Sequence, residues 1–348
     1  MKVNKVLKII LLSYYILHAI PAMPQENLLN ILEAPVIFKG NDTTAYRDPA
    51  ILYFNKTFYL FFTLVRTEEG FIYSYTACSK SEDLKHWSPP RIITARDQAL
   101  NYCSPGNVIR YNDEWILCLQ SYPRPGLKST DKTRYGSADA RVFIMRSKDL
   151  ERWSEPELLK VKGRDVEEAD MGRMIDPYLT EDKDEKGKWW CLYKQNGVSM
   201  SYSYDLKNWT FVGHTESGEN VSVLKENDEY ILFHSPANGI AIKRSSNLVD
   251  WNDWGELITL GQKEWEWAKG RITAGTVIDL REFPEYGKYV LFFHGSGPGS
   301  EKEDFDKNAS IGIAWSDDLV HWDWPGKTPD GSCISLEQQE QWIRLLQF

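Results

Sequence analysis

Ser81-Glu82-Asp83-Leu84-Lys85-His86-Trp87 is the first of five copies of one phrase: Ser, any residue, Asp or Asn, Leu, two residues of any kind, Trp. The others are Ser147-Lys-Asp149-Leu150-Glu-Arg-Trp153, Ser203-Tyr-Asp205-Leu206-Lys-Asn-Trp209, Ser245-Ser-Asn247-Leu248-Val-Asp-Trp251 and Ser316-Asp-Asp318-Leu319-Val-His-Trp322. Their tryptophans are 66, 56, 42 and 71 residues apart. That period fits a four-stranded propeller blade with loop insertions, so the chain is expected to be an all-β, five-bladed β-propeller. Within each copy, Ser and Asp side chains can accept from nearby backbone N–H groups and nucleate a tight turn, while Leu and Trp supply apolar area for a blade face. β-rich runs flank the phrase, such as residues 71–78 before the first copy and 311–315 before the last. It therefore reads as the hairpin between the outer two strands of a blade. Five copies cannot share one active site, so the phrase is scaffold.

With that register set, the blades fall at roughly 45–100, 101–165, 166–215, 216–262 and 263–330. No Pro/Gly/Ser-rich linker interrupts them, and residues 23–348 are expected to form a single domain. Each blade should open with an innermost strand lining the central channel. The openings read Arg47-Asp48-Pro49, Cys103-Ser104-Pro105, Ile175-Asp176-Pro177, Glu219-Asn220-Val221 and Arg271-Ile-Thr273. Three of them begin with an acid, and Asp48, Asp176 and Glu219 are expected at equivalent starting positions that converge on one mouth of the channel. Clustered carboxylates in a concave, aromatic-rich site suit glycoside hydrolysis, which needs one protonated carboxyl and one ionised one. A third nearby negative charge raises the proton affinity of the acid.

Residues 1–22 place Lys2, Lys5 and Lys8 before an apolar run, with small residues at Ala19 and Ala22. That order is the pattern of a cleaved secretory signal peptide, implying a periplasmic or extracellular protein with no membrane association afterwards. The net charge is −9 and no basic stripe appears, which argues against nucleic acid and anionic membranes as partners. The expected partner is a carbohydrate, met by a monomer. Five cysteines carry no zinc-like spacing, and buried free thiols are the default expectation. Residues 335–346 read as a short amphipathic C-terminal helix packed on the outside.

From about residue 45 to 325 the sequence resembles glycoside hydrolase family 43 and its relatives in the five-bladed propeller clan. The resemblance rests on Arg47-Asp48-Pro49 with its hairpin, on Ile175-Asp176-Pro177 followed by the 181–190 turn, and on Glu219 followed by the strand pair to Ser235. It implies Asp48 as general base, Asp176 as the residue that tunes proton affinity, and Glu219 as general acid. It also implies inversion, with acid and base carboxyls about 6.5–9.5 Å apart. The implied activity is exo-acting release of arabinofuranosyl, xylosyl or related residues from polysaccharides or oligosaccharides. The pattern departs in two places. Asn220-Val221 replaces the Gly-Pro expected after the acid, and residues 271–276 hold no match to the fifth-blade His. No cofactor is expected, and a structural calcium ion is unsupported. Glu266 is the substitute acid should Glu219 point away.

Arg47, Arg173 and Arg271 gather where the mouth should be, with Asn107 on the second blade. The arginines can hold a carboxylate ionised by pairing, or grip a carboxylate or sulfate on the sugar. Two alternatives stand beside the main reading. One is a glycan-binding propeller without catalysis. The other is a retaining fructan-type glycosidase, although its Asn-Asp-Pro and Glu-Cys boxes are absent.

Overall fold

The computed structural model describes residues 27–131, 137–299 and 308–327. The expected signal peptide and C-terminal helix both lie outside these residues. Five antiparallel sheets form, one per repeat, in a five-bladed β-propeller. The inner strands are Thr44–Phe54, Val108–Tyr111, Ile175–Glu181, Glu219–Glu226 and Arg271–Asp279. Each pairs with a second strand, respectively Thr57–Glu68, Glu114–Gln120, Trp189–Lys194, Glu229–Ser235 and Tyr289–Ser296. The third strands end in the Ser of the repeated phrase, at Ser81, Ser147, Ser203, Ser245 and Ser316. The ring is closed by the chain's own beginning: Val36–Phe38 pairs with the third strand of blade five, beside Ile311 and Gly312.

The phrase is the hairpin between third and fourth strands in every blade. In the first copy Ser81 Oγ accepts from the backbone N–H of Asp83 and Leu84, and Asp83 Oδ1 accepts from Lys85 and His86. The Leu has positive φ in all five copies, from 57° to 66°. A left-handed leucine is unfavourable by roughly 1–2 kcal/mol. The Ser and Asp bonds and the burial of Leu84, Leu150, Leu206, Leu248 and Leu319 offset this. The indole N–H of Trp87, Trp209, Trp251 and Trp322 donates to the carbonyl of that same Leu, locking ring to turn. Between blades the core is apolar and aromatic; Trp265, Trp267 and Phe293 stack at blade five. Cys78, Cys103, Cys118 and Cys191 are buried free thiols.

Candidate functional site

A single extra residue interrupts the pairing of the inner strands in blades one, three, four and five. The register slips between Arg47 and Ala50, Ile175 and Tyr178, Glu219 and Ser222, and Thr273 and Thr276. Such bulges re-aim a side chain out of the pleat and are enriched beside active sites. The bulge residue has positive φ at Asp48 (49°), Asp176 (50°) and Asn220 (52°), and Ser104 of blade two shares it (45°). Non-glycine residues held there store about 1–3 kcal/mol of strain each, which the surroundings must over-determine. Asp48, Ser104, Asp176, Asn220 and Ala274 thereby form a ring, one residue per blade, around an axial cavity.

One register position of the second strands explains how the ring is held. Thr63, Gln120, Lys194, Ser235 and His294 stand opposite Arg47, Cys103, Ile175, Glu219 and Thr273. Four of these reach the next blade and accept the N–H of its ring residue. Thr63 Oγ1 takes Ser104 (2.7 Å), Gln120 Oε1 takes Asp176 (2.7 Å), Ser235 Oγ takes Ala274 (2.6 Å) and His294 Nδ1 takes Asp48 (3.1 Å). An ammonium has no lone pair to offer. Lys194 instead donates to the carbonyl of Ser217, and the Asn220 N–H goes to Asp176 Oδ2 at 2.9 Å. The carboxylate of Asp176 thus supplies the acceptor that the blade-three lysine cannot.

Three donors converge on Asp48. Thr63 and Ser104 hydroxyls donate to Oδ2 at 2.7 and 2.8 Å, and Asn220 Nδ2 donates to Oδ1 at 3.0 Å. Burial works against ionisation here, but His294, the Arg47 guanidinium and the two hydroxyls outweigh it and hold Asp48 below the usual carboxylate range. Asp176 goes the other way. Burial, then the nearby charges of Glu219 and Asp48, push it up to about 7, against the Asn220 N–H and Arg173, which favour its charged form.

Above the ring lies a wider cavity of about 490 Å³, lined in part by Arg47, Asp48, Asp176, Glu219, Asn220 and Arg271. Asp48, Asp176 and Glu219 therefore do meet, as do Arg47, Arg173 and Arg271. The expected equivalence of Glu219 with the two aspartates is corrected, however. The bulge places Asn220 in the ring, and Glu219 sits one residue earlier at the mouth, half exposed and 3.7 Å from Arg271. Asn107 is not among the residues lining either cavity. Its amide clasps the backbone of blade three instead, with Oδ1 accepting from Leu179 N–H and Nδ2 donating to Leu179 O. Glu266 is also corrected: it lies away from both cavities, exposed and paired with Lys269 at 2.7 Å, because its tryptophan neighbours are drawn into the blade-five core. A fifth-blade histidine does approach the site, as His294 on the second strand rather than the inner one. Asn220, Thr63, Gln120 and Lys194 were equally unanticipated. The signal for all but Asn220 was the second-strand register: Gln120, Lys194 and His294 each directly follow the apolar run that returns from the inner strand, and Thr63 holds the matching position within its run.

No family model matches the chain, and no curated protein matches it. Solved structures do share its five-bladed propeller fold. An exo-1,5-α-L-arabinanase from a bovine ruminal metagenomic library is 16% identical, with a TM-score of 0.52, over 82% of this chain and 98% of that one. A family 43 β-1,3-galactosidase with galactodeoxynojirimycin gives 13% and 0.55, over 81% and 97%. A family 117 glycoside hydrolase from the marine bacterium Zobellia galactanivorans gives 12% and 0.54, over 79% and 86%. The likeness at these identities is one of fold, and it spans more than one family of glycoside hydrolases.

Proposed function

We propose that this protein is a glycoside hydrolase that cleaves O-glycosyl bonds, with Asp48 as general base, Asp176 as modulator and Glu219 as general acid. One observation carries the reading. Two carboxyl groups in one cavity, both held by Asn220, have proton affinities driven apart, Asp48 downward and Asp176 up to about 7. Such separation is how paired acids are given distinct roles in one site. A carboxylate offers about four lone-pair sites. Asp48 uses three on Thr63, Ser104 and Asn220, which leaves one on Oδ1 for a water to be activated. Glu219 lines the same cavity at its half-exposed mouth, and its role as acid takes the leaving-group oxygen to lie beside it. The solved neighbours include an exo-arabinanase and a β-1,3-galactosidase, which supports a glycosidase on this fold.

The finer parts of the proposal are inversion, exo action on arabinofuranosyl, xylosyl or related residues, export, and action as a monomer without cofactor. A glycan-binding propeller is the second reading. The Arg271–Glu219 pair favours it, since it engages the carboxyl that would serve as acid. Titrating glycans while monitoring reducing-end release separates the two: cleavage abolished in both Asp48→Asn and Glu219→Gln supports the enzyme, and binding without any release supports the second reading.

A further inference from the structure

A second cavity, of about 500 Å³, lies far from the carboxyl cluster in sequence and composition, between the outermost strand of blade four and the repeated turn of blade five. Blade four lines it with Trp254, Leu257 and Ile258, and blade five with Val320, Trp322 and Trp324. Ile258, Trp322 and Trp324 are the buried part of this lining. Leu257 and Val320 are 48% and 45% exposed, the two most exposed large aliphatic side chains among the described residues. Single exposed apolar side chains are ordinary, but here one from each blade borders the same apolar groove, which marks it as a docking surface.

The edge of blade five brings the chain to this groove. The fourth strand there is only Trp322–Asp323, opposite Ser316 and Trp315. The strand Val36–Phe38 occupies the edge beyond it, opposite Gly312 and Ile311. With that edge taken, the chain leaves the sheet at Trp324, which lines the groove, and turns. The Lys327 N–H donates to the Trp324 carbonyl at 3.1 Å, and Lys327 Nζ donates to the Trp322 carbonyl at 2.7 Å and to Asp323 Oδ1 at 2.9 Å. The last described residue is thus pinned beside the groove.

Residues 328–348 follow and carry no further copy of the phrase. Five of the seven residues from 342 to 348 are large and apolar: Trp342, Ile343, Leu345, Leu346 and Phe348. We propose that this segment of the same chain seats in the groove between blades four and five and covers Leu257 and Val320. Residues 328–341 can span up to about 46–50 Å, so the tether from Lys327 reaches a groove that Trp324 already lines. Burial of apolar surface on both sides drives the docking. A tethered occupant meets the groove at an effective concentration of about millimolar, which favours it over a second copy or a free partner. The inference is independent of the glycoside-hydrolase reading.

The test places the photo-reactive residue p-benzoylphenylalanine at position 320 of the full chain and identifies the cross-linked peptide by mass spectrometry. The expected product is a link to residues 342–348 within one chain, which mixing isotope-labelled and unlabelled chains distinguishes from a link between copies. Hydrogen exchange supplies the second readout. Amides of residues 336–346 should be protected in the wild type, and protection should fall about tenfold or more in Leu257→Asp and in Leu346→Asp. Unchanged exchange of the inner strands Thr44–Phe54 and Arg271–Asp279 shows the propeller intact in both variants. Links only between copies assign the groove to a second copy and overturn the inference. So do links to any other segment, no link to residues 342–348, or protection that is absent in the wild type or unchanged in both variants.

Discussion

Asn220 Nδ2 lies 3.0 Å from Asp48 Oδ1, while the same residue's backbone N–H lies 2.9 Å from Asp176 Oδ2. One asparagine therefore orients both buried carboxyl groups across three blades, and its left-handed φ of 52° is what lets side chain and backbone point at them together. Asn220→Gly removes the side chain without backbone strain and should lower turnover about 10- to 100-fold through loss of base orientation. Asn220→Asp places a third carboxylate against Asp48, should raise its proton affinity, and should shift the acid limb of kcat/KM to higher pH. Steady-state kinetics across pH distinguishes the two effects, and an unshifted limb in N220D would argue that the two side chains do not interact.

Asp176 gives the protein a pH signature of its own. Its folded pKa of about 7 lies above the ordinary carboxylate value, so between about pH 4 and 7 the folded state binds more protons than the unfolded one. The associated stability is fully present at acid pH and is lost as pH rises through 7. Asp176→Asn mimics the protonated form and should melt several degrees higher than the wild type at pH 8, with little difference at pH 4. Asp48 has the opposite sign: its contribution is present above its ordinary value and is lost only on strong acidification.

Glu219 and Glu266 are separated by a simple comparison. Glu219→Gln should reduce hydrolysis by about two orders of magnitude or more. Glu266→Gln should leave it unchanged, since that carboxylate is exposed and bonded only to Lys269 among the described residues. Equal losses in both variants would reinstate Glu266.

The inter-blade acceptors should show their worth in stability. Gln120→Leu leaves the N–H of Asp176 without its acceptor in a buried position, and such an orphaned donor costs about 1–3 kcal/mol. Urea denaturation of the variant should shift by that amount. No shift would mean another group takes the N–H.

Much of the fold was legible because the Ser-Asp-Leu-Trp phrase fixes blade number and register through local chemistry, each copy closing its own turn. Asp48 and Asp176 were legible for the same reason, each preceding a proline at an inner-strand opening. Glu219 was misregistered by one residue because a β-bulge is a property of two paired strands, and in blade four the residue that takes the strained position is an asparagine without a following proline. His294, Gln120 and Thr63 act on the neighbouring blade; the second-strand register marks their positions, but spacing along the chain does not say which residue of the next blade each one meets. Val36–Phe38 closes the ring from outside the repeat, where no copy of the phrase marks it.

The most direct test is hydrolysis by wild type, Asp48→Asn and Glu219→Gln, measured as chromatographically resolved sugar released from a panel of arabinofuranosyl- and xylosyl-bearing polysaccharides, with circular dichroism confirming all three proteins folded. Release by the wild type, falling at least about a hundredfold in each variant, is the expected result. Undiminished release by either folded variant would contradict the assignment of these carboxyl groups to catalysis.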